Sequence, residues 1–107
     1  MIGNLLKNLP QACGEESIEL LLKQSGVRLE RIVSHGETSP PGFWYDQPED
    51  EWVLVLSGFG EIAFADGRVV TLSPGEHLLI PAHCRHRVEK TDPTGATVWL
   101  ALFLPPA

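Results

Sequence analysis

The residues of this chain best suited to chemistry are four histidines and the carboxylates that lie near two of them. A neutral imidazole is a common metal ligand and proton carrier. His83 and His86 stand three apart in Ala82-His-Cys-Arg-His86, with Cys84 between them. A His-x-x-His pair can hold a metal and a thiolate is a soft ligand, although the spacing alone is a weak signal and a cysteine is more often a small buried hydrophobe. Glu51 opens the apolar stretch Trp52-Val-Leu-Val-Leu56, where an inward carboxylate is costly unless it is paired or metal-bound. Its neighbours Glu49 and Asp50 leave open a solvated acidic run instead. Asp46 and Gln47 precede Glu51 in a segment that reads as a loop, where an aspartate often only caps a turn. His35 closes an earlier strand, with a place in a pocket or on the surface, and His77 reads as strand filler. Phe43-Trp44-Tyr45, with Trp52 and Trp99, forms an aromatic set that suits the wall of a site for an apolar or planar ligand. A plain core or interface use fits it equally.

The elements that must position these residues are mostly strands. Val27–Val33 alternates apolar and polar residues, as a strand with one buried face does. His35–Gly42 is rich in turn formers. Further strands are predicted over 51–56, 60–65, 68–72, 77–80, 85–89 and 96–104, divided by Ser57-Gly58, Asp66-Gly67, Ser73-Pro-Gly75, Pro81 and Asp92-Pro-Thr-Gly95. Asp-Gly is a hairpin signal. Short strands at intervals of roughly 8 to 12 residues, with no helical crossover between them, indicate an all-β sandwich or barrel. Residues 1–26 differ. Ile18, Leu21 and Leu22 fall at helical spacing, acids cluster before them, Lys23 follows, and Gly26 offers a C-cap. The expectation is a short amphipathic helix in a leader packed on the outside of the barrel.

The stretch from Glu51 onward resembles the cupin family, the double-stranded β-helix or jelly-roll barrel. That family carries G-x5-H-x-H-x3-4-E-x6-G and G-x5-P-x-G-x2-H-x3-N. Here Glu51 and Gly58 match the end of the first motif, and Gly75, Pro81 and His86 match the second. The resemblance covers residues 27–104, so 1–26 are a leader and 27–107 the barrel. It implies that Glu51 and His86 point inward as ligands of a divalent metal (Fe, Mn, Ni or Zn). The two other histidines of the family are absent. A four-residue spacer puts their positions at Trp44 and Asp46, and a three-residue spacer at Tyr45 and Gln47. Asp46 is therefore the candidate third ligand, with His83 and Gln47 as alternatives. His83 stands at a family glycine and Lys90 at the family asparagine. Trp44, Tyr45 and His35 are the candidate pocket-lining residues.

The bulk numbers fit one domain. The 107 residues carry a formal net charge of −6, with 43% hydrophobic and 21% charged residues, which is ordinary globular usage. Phosphate binding needs a basic face, so the net charge argues against nucleic acid as a partner, and against an anionic membrane surface. Two cysteines far apart argue for a reducing cytoplasm rather than a disulfide framework. There is no signal-like leader and no apolar run of roughly 18 residues or more. The resemblance implies a barrel that takes a small-molecule ligand and pairs as a homodimer. Two functions follow: a metal-dependent oxygenase or isomerase, or a metal-free binding or sensing module that has lost two imidazoles.

Overall fold

The computed structural model describes residues 2–106, and these form eight strands and no helix. The strands are β1 (Ser17–Gln24), β2 (Val27–Ser34), β3 (Asp50–Ser57), β4 (Gly60–Phe64), β5 (Val69–Leu72), β6 (His77–Ile80), β7 (His86–Thr91) and β8 (Thr97–Leu104). They make a five-stranded sheet of order β1-β2-β8-β3-β6 and a three-stranded sheet of order β5-β4-β7. Every pairing within them is antiparallel.

The expected N-terminal helix is a strand. Ile18, Leu20 and Leu22 also alternate, and over eight residues the two periods cannot be told apart. The local turn decides. Ser25 and Gly26 have φ of 53° and 80°, so they form the two-residue connection of a hairpin with two positive φ values rather than a helix cap. β1 then pairs with β2 from Ser17↔Val33 to Gln24↔Val27, with a bulge between Leu20 and Leu22. A helix of this length is marginal in water, whereas the hairpin satisfies its backbone on the neighbouring strand. Residues 2–16 are irregular, and their early part passes beside Arg31 of β2. There the Arg31 guanidinium donates to Leu5 O and Lys7 O, at 3.2 and 3.0 Å.

The core lies between the sheets. Val53 and Val55 from β3, Ile62 and Phe64 from β4, Leu72, Ile80 and Trp99 pack as one cluster. Each such side chain contributes about 1.5–3 kcal/mol on burial. Trp99 reaches the core because Gly60 has no side chain: a Cβ there would lie 2.0 Å from the nearest indole carbon. The indole N–H donates to Ser34 Oγ at 3.3 Å.

The segment between β2 and β3 runs along the edge of β7. Ser39 N–H donates to Val88 O (2.9 Å), Tyr45 N–H to His86 O (2.7 Å), and His86 N–H back to Tyr45 O (3.2 Å). This bridge carries a loop, which has no sheet register of its own, into a fixed position beside the barrel interior.

Candidate functional site

Strand alternation aims Glu51, Val53 and Val55 of β3 inward, while Trp52 and Leu54 face out. Trp52 spends its N–H on His77 Nδ1 outside the barrel, at 3.3 Å. His86 opens β7 and is buried, with 6% of its surface exposed. The two inward polar residues meet: His86 Nε2 lies 3.4 Å from Glu51 Oε1, with both side chains about nine-tenths buried. A backbone carbonyl can only accept, so the 2.8 Å contact between His86 Nδ1 and Cys84 O fixes a proton on Nδ1. Nε2 is thereby the nitrogen presented to Glu51. Burial pulls the His86 imidazole toward neutrality, but the Glu51 carboxylate and the Cys84 carbonyl outweigh it and hold its pKa above the usual histidine value. Tyr45 stacks on this ring with centroids 5.4 Å apart and planes at 25°.

Glu51 and His86 line a cavity of about 280 Å³ between the sheets, together with Tyr45 and Gln47. This resolves the spacer ambiguity. The three-residue register is the one that faces inward, so the positions equivalent to the family's two missing histidines are Tyr45 and Gln47. Trp44 and Asp46, the residues of the other register, are not among the cavity-lining residues. Trp44 instead lies under the Arg85 guanidinium, 5.7 Å from its ring centroid. Asp46 turns outward to His83, Oδ1 to Nδ1 at 2.7 Å, with both side chains about half or more exposed. His35 does not reach the cavity either: its Nε2–H donates to Pro10 O at 2.9 Å. His83 has φ of 61°, the left-handed conformation that explains a glycine at the equivalent family position. Its backbone N–H donates to Gln47 O at 2.7 Å, so it anchors the loop and leaves its imidazole outside.

Among the described residues, no group of three or more His, Cys, Asp or Glu side chains is placed to hold a metal ion. What faces the cavity at the family's four positions is one carboxylate, one imidazole, one amide and one phenol. Burial and the nearby carboxylates of Glu16, Glu51 and Glu30 raise the Tyr45 pKa above its usual value, which keeps the phenol protonated and a poor ligand. Open catalytic zinc sites use three strong protein donors. This donor set provides two, and does not fit a resident divalent metal.

Three charged cavity residues escaped the sequence reading: Glu16, Arg28 and Glu30. Glu16 sits next to β1, in the segment read as an external helix. The available signal was the period-2 run Glu16, Ile18, Leu20. Ser34 Oγ donates to Glu16 Oε2 at 3.4 Å. Burial, then the charges of Glu37 and Glu51, still raise the Glu16 pKa.

A sequence profile described as "Cupin domain" matches residues 30–103. No curated protein matches the chain. Among solved structures, a protein from Ralstonia eutropha JMP134 described as a candidate mannose-6-phosphate isomerase is 46% identical, with a TM-score of 0.92 and 98% of each chain covered. A cupin superfamily protein from Desulfitobacterium hafniense DCB-2 is 21% identical, with a TM-score of 0.75 over 91% of this chain and 84% of that one. The Fe(II) form of HppE is 14% identical, with a TM-score of 0.70 over 83% of this chain and 50% of that one. The last two likenesses speak for the fold alone.

Proposed function

This chain belongs to the cupin family, and from that premise we propose that it is a metal-free small-molecule-binding barrel. The observation that carries this reading is the convergence of Tyr45, Gln47, Glu51 and His86 on one cavity whose remaining wall is largely apolar. A concave, mostly apolar space with a few convergent polar groups is what a small-ligand site needs. Gln47 Oε1 is shielded from solvent and has no hydrogen-bond partner, and an acceptor left so is costly until a ligand donates to it. Glu51 and His86 share a proton site, so a ligand bound beside them meets a group that can give or take a proton.

The test is a melting-temperature screen with a panel of small metabolites, run beside elemental analysis of the purified protein. A ligand that raises the melting temperature in wild type and not in Gln47→Ala or His86→Ala supports the reading. Stoichiometric Fe, Mn, Ni or Zn that disappears in Glu51→Gln overturns it in favour of a metal-dependent cupin.

The expected homodimer enters here through β1. This strand ends the large sheet and exposes Ile18, Leu20, Leu21 and Leu22, and an exposed apolar edge invites association. Two β1 edges pairing antiparallel about Leu21 would set Glu19 of one copy near Lys23 of the other. Mass measurement by light scattering checks this, with Lys23→Glu expected to shift a dimer toward monomer.

A further inference from the structure

We propose that the cavity selects a small organic cation, a primary ammonium group on an apolar or aromatic body, and rejects phosphorylated ligands. This rests on the binding reading above and names its ligand class.

The first support is that, among the described residues, no basic side chain of the cavity is free. Among the described residues, two basic side chains reach the cavity, Arg28 and His86. Arg28 Nε donates to Glu30 Oε2 at 3.1 Å, and its Nη1 to both oxygens of Glu49 at 3.2 and 2.9 Å. The guanidinium also lies 4.0 Å from the Phe103 ring centroid. With Nε and Nη1 on two carboxylates and an aromatic ring at its face, its charge is already answered and less of its fork is left for a phosphate. His86 is aimed at Glu51 and tied to Cys84 O. A dianionic phosphate would meet Glu16, Glu30 and Glu51 with no unpaired positive charge.

The second support is an excess of acceptors. The Glu16 carboxylate lines the cavity and takes one weak hydrogen bond, from a neutral hydroxyl. Gln47 Oε1 takes none. Glu51, 9% exposed, faces only the imidazole. An ammonium group brings three donors and a charge, answering the amide oxygen of Gln47 and the Glu16 carboxylate together. The raised pKa of Glu16, caused by burial and by neighbouring carboxylates, is the strain a bound cation would relieve. The third support is the wall. Ile18, Ile32, Ile62, Val88, Trp99 and Phe103 suit a hydrocarbon or aromatic body rather than a polyhydroxylated one.

Calorimetry on the full chain at neutral pH, with a chelator present, tests this with three probes: phenethylamine, the equally shaped neutral 2-phenylethanol, and mannose 6-phosphate. Phenethylamine is expected to bind, the alcohol at least tenfold more weakly, and the sugar phosphate not at all. Glu16→Gln is expected to weaken the amine about tenfold while circular dichroism and melting stay near wild type. Equal binding of amine and alcohol overturns the cation preference and leaves the binding reading standing. Binding of mannose 6-phosphate overturns the rejection of phosphate. Amine binding unchanged in both Glu16→Gln and Gln47→Leu places it outside the cavity and overturns the proposal. If none of the three binds, the ligand class is wrong, whereas the binding reading falls only if the metabolite screen also fails.

Discussion

Two histidine–carboxylate pairs stand a few residues apart in this chain and behave as opposites. Asp46 and His83 meet at 2.7 Å on the rim, with side chains 49% and 68% exposed. Glu51 and His86 meet at 3.4 Å inside the barrel, with side chains 11% and 7% exposed. By distance the rim pair is the stronger. By environment it is not, since water and salt screen an exposed pair to a net contribution of about 0–1 kcal/mol. The inner pair sits where the effective dielectric is lower and where each charge depends on the other. Burial therefore decides which pair shapes a site, and burial is set by strand phase: Glu51 and His86 occupy inward positions of β3 and β7, whereas His83 sits in a left-handed turn before β7 begins.

The largest effect expected is at the inner pair. His86→Leu leaves the Glu51 carboxylate buried without its partner and, below pH 6.5, should cost about 3 kcal/mol in urea unfolding, while His83→Leu should cost under about 0.5 kcal/mol. Similar losses for the two would erase the distinction. Gly60→Ala comes next. Its methyl group would displace Trp99, which lines the same cavity, and overpacking of this kind costs about 2 kcal/mol. It should also abolish any ligand-induced melting shift, whereas substitutions on the rim should preserve it.

The sequence carries the strand phase of the inner pair and hides that of the rim. Apolar alternation through Glu51, Val53 and Val55 predicts an inward carboxylate without any structure, and the family spacing to His86 agrees. Asp46 cannot be placed this way. Its segment is a loop held by backbone bonds from Tyr45 to His86 and from His83 to Gln47, and such pairing has no periodic signature. The choice between Asp46 and Gln47 as the inward residue depends on those backbone bonds. The β1 region was illegible for a different reason. Its apolar residues fit two periods, and the deciding feature was a turn in which Ser25 adopts a positive φ. Glu16 was lost to the site together with that strand.

A subtler contrast lies in pH. Burial alone would lower the His86 pKa, but Glu51 and the Cys84 carbonyl more than offset it and leave the folded value above the unfolded one, about 6.5. A raised folded value means that the charged imidazole stabilises the fold. That contribution is complete below the unfolded pKa and is lost as pH rises through the folded value. Wild-type melting temperature should therefore fall by this contribution as pH rises above 6.5, and Glu51→Gln should flatten or reverse the slope because burial then dominates. The smallest expected effect closes the comparison. Asp46→Ala removes the shorter of the two contacts, yet the melting temperature should change by a degree or less and the wild-type pH slope should survive, since a pair this exposed contributes little. A loss in Asp46→Ala as large as that in His86→Leu would mean that the rim holds the loop in place through this ion pair, and that Tyr45 and Gln47 reach the cavity only because Asp46 is anchored outside it.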